Sequence, residues 1–230
     1  MAIDGMKVVD LDSHLVGDLE SWEQTIEDQW RPFLPKKLPT KDNERRKTLV
    51  GNRIMIGSEL GRQKAEKNEW FKPEDLTPHG RVRNMDLDGI DVAVLSPNSP
   101  ALDILWFVDD PELAAAYARA QNNYMNYYAS QQPGRLMWAG VIPLQDPDEA
   151  IKELRRSKEM GSKALNVKAT PIPGKEWWDP YFDPIFDEVE RTNTPIIFHD
   201  TKTGSWARSG SPRTFFSPTW SAALSKAWFV

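Results

Sequence analysis

Two side chains that can bind a divalent metal follow the first apolar stretch of the 230-residue chain. Asp12 and His14 lie two positions apart, shortly after Val8 and Val9, which favour β-strand. Because residues two apart on a strand face the same side, both side chains are expected to project together from the strand's C-terminal end. A carboxylate oxygen and an imidazole nitrogen are suitable ligands for one cation. The same spacing also fits an aspartate that caps a turn beside an unrelated histidine.

Further polar side chains come at the ends of three later apolar stretches. These are Asn98, Lys168 and His199, of which His199 extends the candidate ligand set. Lys168 and Asn98 are candidate substrate-binding residues, and Lys168 could hold a carboxylate. A rim lysine in solvent is the simpler interpretation of Lys168. A turn role beside Pro97 and Pro100 is the simpler interpretation of Asn98.

The elements that must position these residues alternate between strand and helix. The patterns predict strands at residues 7–14, 91–97, 136–143, 163–168 and 194–199, and helices at 81–90, 109–132, 146–161 and 182–191. Such alternation indicates a parallel sheet covered by helices, either a (β/α) barrel or a doubly wound sheet. No glycine-rich phosphate loop follows a strand, which disfavours a nucleotide-binding sheet. Polar residues at strand C-termini favour the barrel, because barrel enzymes place their chemistry there.

A charged segment, residues 15–79, interrupts this alternation and is interpreted as an insertion. Apolar residues at spacings of three and four predict one amphipathic helix over 15–34, which prolines then end. Residues 48–57 predict a small hairpin around a Gly-Asn turn. Acidic residues dilute the basic ones, so a solvated face is favoured over a nucleic-acid patch. His79 is expected in a loop, without a functional role.

The composition excludes several classes of protein. The formal net charge of -5 does not favour binding to nucleic acid or to an anionic membrane. The absence of cysteine excludes disulfides, thiolate metal sites and a cysteine nucleophile. No apolar run reaches the roughly 20 residues of a membrane span, and a cytoplasmic location is expected.

Several motifs, in this order, resemble the amidohydrolase-related family, whose members include aminocarboxymuconate-semialdehyde and resorcylate decarboxylases. The most specific is the R-x-x-x-M-D-x-x-G-I-D-x-A-V-L pattern that ends at Leu95. The others are Val8-Val-Asp-Leu-Asp-Ser-His14, Gly134-Arg-Leu, Ala139-Gly-Val-Ile-Pro143 and Pro195-Ile-Ile-Phe-His199. The resemblance runs from about residue 7 to at least residue 204.

This resemblance implies a TIM-type barrel of the metal-dependent hydrolase superfamily with one divalent metal, zinc above all. Asp12 and His14 match the ligand pair after the first strand, with Asp in place of the first His, and His199 matches the ligand after the fifth strand. A carboxylate is a harder ligand than imidazole, so manganese or magnesium also becomes credible.

The barrel is expected to be incomplete, because about five β/α units are found where a TIM barrel has eight. The whole chain, 1–230, is interpreted as a single partial barrel domain with the insertion 15–79. The family's ligand after the sixth strand and its aspartate after the eighth have no counterpart, so no acid or base is assigned. The chain is therefore either a fragment or a naturally shortened protein. An open sheet leaves an edge and an apolar face, so a homo-oligomer or a partner that covers the incomplete barrel is expected.

Two functions remain open from the sequence. One is a metal-dependent hydrolase or decarboxylase that acts on a small carboxylated or aromatic compound. The alternative is a truncated, non-catalytic chain of the same fold with a structural or regulatory role. Tight binding of a divalent metal is expected only of the first.

Overall fold

A computed structural model describes residues 5–15, 20–41, 44–45, 47–56, 73–97 and 99–199. The strands in these ranges are β1 (Val9–Leu15), β2 (Lys36–Leu38), β3 (Lys47–Val50), β4 (Arg53–Ile56), β5 (Val92–Pro97), β6 (Leu136–Gly140), β7 (Ala164–Lys168) and β8 (Ile196–His199). The α-helices are α1 (Glu20–Glu23), α2 (Pro78–Asp88), α3 (Ser99–Phe107), α4 (Pro111–Ser130), α5 (Pro147–Glu159) and α6 (Asp183–Arg191). Short 3-10 helices cover Asp28–Phe33, Pro73–Leu76 and Pro180–Phe182.

Within the described residues the main sheet has five strands in the order β1-β5-β6-β7-β8, and every neighbouring pair is parallel. Helices connect successive strands, so all strands run the same way and their C-terminal ends share one edge. This confirms the predicted incomplete (β/α) barrel of five strands. None of the described helices is long and apolar enough to span a membrane.

The helices begin where the sequence supplies a cap. Thr77 accepts a hydrogen bond from the N–H of Gly80, while Asp110 and Asp146 each accept two from the first turns of α4 and α5. Each cap is followed by proline, whose fixed φ suits the first helical position. Helix α2 ends at Gly89, which has φ 74°, a left-handed conformation that glycine adopts at low cost. The predicted bounds of these helices are therefore confirmed to within a few residues.

The core lies mainly between the sheet and its helices. One cluster, which includes Leu95, Met125 and Trp138, packs β5 and β6 against α4. Another, which includes Leu165, Phe182 and Ile185, packs β7 against the chain around α6. The opposite, concave face of the sheet carries a smaller apolar cluster centred on three buried residues, namely Val94, Ala139 and Ala164.

The single helix predicted over residues 15–34 is wrong. The described part of this segment contains only α1 and the 3-10 helix Asp28–Phe33, which includes Pro32. Trp22 is buried and its indole N–H donates to Gln121 of α4 at 2.7 Å, whereas Phe33 is half exposed. Contacts with α4 therefore decide the path of this segment, and the periodicity of its aromatic residues does not.

The structure tests three other predictions, for the insertion and for the chain that follows it. The hairpin is confirmed as β3 and β4, and the structure adds β2 as a third, antiparallel strand that the sequence analysis missed. His79 is exposed in the first turn of α2, so its placement in a loop was wrong. Helix α3 was also missed, because its Ser-Pro start was interpreted as a turn.

A buried asparagine, Asn122 of α4, forms hydrogen bonds with the backbone just after the end of β6. The side chain of Asn122 donates to the carbonyl of Val141 at 2.8 Å and accepts from its N–H at 2.9 Å. The same amide donates to Glu153 of α5 at 2.6 Å, and Glu153 is paired with Arg156. Asn122 thus replaces a strand partner for Val141 and joins α4, α5 and β6.

We expect Asn122→Ala to lower the free energy of unfolding by about 3 kcal/mol, because it removes the hydrogen-bond partner of the buried N–H and carbonyl of Val141. Urea unfolding followed by circular dichroism measures this loss. Tyr127→Ala, at an exposed position of the same helix, is the matched control and should change stability by less than about 0.5 kcal/mol. Equal losses in the two variants would contradict this role.

Candidate metal centre

The first strand carries one extra residue just before the candidate ligands. Asp10 pairs with Ala93 of β5, and Ser13 pairs with Leu95, so three steps on β1 match two on β5. The carboxylate of Asp10 accepts a hydrogen bond from the N–H of Asp12 at 2.9 Å within this bulge. The side chain of Asp10 therefore stabilises the backbone of the bulge.

The structure brings the three predicted ligands together. Donor atoms of Asp12, His14 and His199 all lie within 4.8 Å of one another. Asp12 Oδ1 is 3.1 Å from His199 Nε2 and 3.9 Å from His14 Nδ1. The two imidazole rings meet edge to face, with centroids 4.7 Å apart.

This proximity requires a strongly curled sheet. Asp12 and His14 lie on β1 and His199 lies on β8, which are the two outer strands of the five. Four interstrand spacings in a flat sheet would separate these strands by roughly 19 Å. The 3.1 Å contact between Asp12 and His199 therefore shows that the outer strands approach each other at their C-terminal ends, as they do in part of a barrel.

The chemistry of the cluster fits a divalent metal. Its donor set is one carboxylate and two imidazoles, a combination that divalent metals accept. The ring nitrogens that approach Asp12 are Nδ1 of His14 and Nε2 of His199. The other nitrogen of each ring is buried and has no hydrogen-bond partner among the described residues. Burial, and then the neighbouring His199, lower the pKa of His14 below its usual value. The neutral imidazole, which is the form that binds metals, is thereby favoured at neutral pH.

Arg81 of α2 holds the strand that carries two of these ligands. Its guanidinium donates to Ser13 Oγ at 2.9 Å and to the backbone carbonyl of His14 at 2.6 Å. Both contacts fall on the last three residues of β1, beside and within the ligand pair. Arg81 is the first residue of the R-x-x-x-M-D motif, but the sequence did not reveal this contact.

Lys168 is buried, so its interpretation as a rim lysine in solvent is wrong. Its side chain is 6% exposed and pairs with Asp103 of α3 at 2.6 Å. The ammonium also lies over the ring of Trp106, 5.2 Å from its centroid. Lys168 is the register partner of His199, which places it beside the metal candidate. The other substrate-binding candidate, Asn98, lies outside the described residues.

Two buried polar residues at this end of the sheet were missed by the sequence analysis. Ser96 is the register partner of His14, and Asn166 of β7 donates to Ser96 Oγ at 2.9 Å. Each stands within an apolar stretch that the sequence analysis treated only as strand. The alternation of side chains along each strand could have indicated that both side chains point to the inner face of the sheet.

The fold and the sequence identify the family. The sequence model of the amidohydrolase family matches residues 65–225, more than half of the chain, and the chain therefore belongs to this family. The predicted family membership is confirmed. The γ-resorcylate decarboxylase of Rhizobium radiobacter is 30% identical over 156 residues, which make up 64% of this chain and 46% of that protein.

Solved structures share the fold. An amidohydrolase from Mycobacterium avium subsp. paratuberculosis superimposes with a TM-score of 0.65 at 20% identity, over 86% of this chain and 60% of the other. A dihydroxybenzoic acid decarboxylase from a Polaromonas species, solved with bound manganese and the inhibitor 2-nitroresorcinol, gives a TM-score of 0.53 at 21% identity. That superposition covers 85% of this chain and 50% of the other. The chain thus spans about half the length of the relatives that it matches.

We expect Arg81→Gln to weaken about tenfold any divalent metal binding at this cluster, with Mn²⁺ as the probe, because the end of β1 is no longer fixed by two hydrogen bonds. Isothermal titration calorimetry measures the affinity. Arg83→Gln is the matched control, since Arg83 on the same helix pairs only with the side chain of Asp75 among the contacts described here. The role fails if both variants bind Mn²⁺ like the unchanged protein.

Proposed function

We propose that this protein is a metal-dependent decarboxylase that acts on small hydroxylated aromatic carboxylates. The observation that carries the proposal is the convergence of Asp12, His14 and His199 at the C-terminal edge of the sheet. Both named relatives are decarboxylases, which supports decarboxylation over hydrolysis. Their names also give γ-resorcylate and dihydroxybenzoate, which are hydroxylated aromatic acids.

We propose manganese as the metal, in preference to the zinc expected from the sequence resemblance. One of the three candidate ligands is a carboxylate, which is a harder ligand than imidazole. The Polaromonas enzyme was solved with manganese, which supports the same choice. A divalent metal bound here would act as a Lewis acid toward carboxylate and hydroxyl oxygens.

The residues of this chain have separate parts in the proposed site. Asp12 and His14 from β1 and His199 from β8 would hold the metal, and Arg81 fixes the end of β1. Lys168, which forms an ion pair with Asp103, would contact the substrate beside His199.

We propose that residues 1–230 form one partial barrel domain with an insertion over 15–79. The separate sheet of β2, β3 and β4 supports this division, because all three strands fall between β1 and β5 in the chain and none joins the main sheet.

The metal content of the purified protein tests the proposal. We expect about one equivalent of manganese per chain after reconstitution with Mn²⁺ and gel filtration, measured by inductively coupled plasma mass spectrometry. The double variant His14→Ala and His199→Ala should lose this metal while the midpoint of thermal unfolding stays within a few degrees. The control double variant takes His79→Ala with Asp88→Ala, on the exposed surface of α2, and should keep the metal.

Activity is measured on the same samples with 2,6-dihydroxybenzoate as substrate, and carbon dioxide release is followed. The proposal expects turnover that depends on manganese and is lost in the His14→Ala and His199→Ala variant. A folded protein that binds no metal would refute it and would favour the non-catalytic alternative.

We further propose that this chain self-associates through the exposed apolar residues near β1. Met6, Val9 and Leu11 are 65%, 47% and 62% exposed. Val9 and Leu11 lie on β1, and Met6 precedes it. β1 is an outer strand of the main sheet, and no other described strand pairs with its outer edge, so this edge can pair with a strand of another chain. A second copy of the chain would cover both the edge and these side chains.

Leu11→Glu is expected to shift the chain from dimer toward monomer, because a charge would then have to be buried at the interface. Size-exclusion chromatography with light scattering measures the mass. Leu87→Glu is the matched control, since Leu87 is 82% exposed on α2 and should leave the mass unchanged. A monomeric unchanged protein at concentrations near 100 μM would contradict this interface.

A further inference from the structure

A small cavity lies at the C-terminal end of the sheet, between α3 and strands β6 and β7. Most of its walls are apolar, and they come from Leu102, Leu105, Trp106, Val141, Ile142, Leu144, Val167 and Ile172. Among the described residues that line it, Asn166 and Lys168 are polar. These residues are two apart on β7, so their side chains leave the same face of the strand.

The two polar side chains offer one acceptor and one donor. Asn166 is 1% exposed, and its Nδ2 donates to Ser96 Oγ, while its Oδ1 has no partner among the described residues. A buried amide oxygen without a donor costs free energy, so a group that donates to it is expected. Lys168 uses one N–H on Asp103, and an ammonium carries three.

The size and charge of the cavity favour a hydroxyl group over a carboxylate. Its inner space of about 20 Å³ suits one water-sized group. A carboxylate is larger, would set an oxygen against the Asn166 oxygen, and would add a second negative charge beside Asp103. A hydroxyl group can donate to Asn166 and accept from Lys168 at once.

We propose that this cavity is the subsite for a ring hydroxyl of the substrate, which displaces a water molecule held by Asn166 and Lys168. The apolar walls, Trp106 and Ile172 among them, then receive the edge of the ring. This inference rests on the proposed function for the identity of the ligand as a substrate. It assigns Lys168 to a hydroxyl, in place of the carboxylate considered from the sequence.

The position of the cavity makes the assignment consistent with the metal centre. Lys168 is the register partner of His199, and Ser96, which holds Asn166, is the register partner of His14. The subsite therefore adjoins the candidate ligands on neighbouring strands. A hydroxyl bound by Asn166 and Lys168 would leave the carboxylate of the same ring on the side of the metal.

Binding of two matched probes to the full chain tests the subsite. Resorcinol carries hydroxyl groups only, and benzoate carries a carboxylate only. Kd values come from ligand-observed NMR titrations of the His14→Ala and His199→Ala variant, which removes the metal ligands. We expect resorcinol to bind at least tenfold more tightly than benzoate. Asn166→Leu and Lys168→Met should each weaken resorcinol at least tenfold, whereas Lys163→Met, at an exposed lysine five residues earlier, should not.

A second measurement follows binding in the protein with its cavity unchanged, and a variant serves only to assign the signal. The indole N–H of Trp106 donates to Pro171, and its proton resonance, assigned through Trp106→Phe, should shift with resorcinol and stay fixed with benzoate. Resorcinol binding that survives Asn166→Leu and Lys168→Met, or benzoate binding of equal strength, would overturn the subsite. So would an unmoved Trp106 resonance, which would mean that the cavity holds water only. A chain that binds no manganese but binds resorcinol as expected would refute the metal proposal and support the subsite.

Discussion

The curl of the five-stranded sheet is the constraint on which the candidate site depends. The ligands come from the first and the last strand of the sheet, which would be far apart if the sheet were flat. Right-handed strand twist and a layer of helices on the outer face bend the sheet until these ends approach. The 3.1 Å contact between Asp12 and His199 is the direct consequence. Any change that flattened the sheet would separate the ligands without altering one of them.

Helices and hydrogen-bonded side chains support this curl from outside. Asn122 satisfies the backbone of Val141 where β6 ends, and Arg81 fixes the end of β1. Both reach the sheet from helices that pack on its outer face. The geometry of the candidate metal centre thus depends on residues that would not contact a metal.

Most of the main sheet was predictable because its signals are local. Caps such as Thr77 and Asp110, and the stop at Gly89, depend on the chain within a few residues of the helix end. The alternation of strand residues placed Asp12 and His14 on one side, and the family resemblance supplied His199. The errors fall where distant contacts decide. Trp22 is held in place by its hydrogen bond to Gln121 of α4. Lys168 pairs with Asp103, which lies 65 residues earlier in a helix that the sequence did not reveal.

The bulge in β1 also determines how much negative charge the site contains. Strict alternation would place Asp10 on the same side as Asp12 and His14. The extra residue instead sets Asp10 opposite Ala93, on the face that packs against the helices, where its carboxylate binds the backbone. The ligand cluster therefore contains one carboxylate and two imidazoles. A divalent cation held by such a set would retain a net positive charge and would attract an anion, whereas a second carboxylate would cancel that charge.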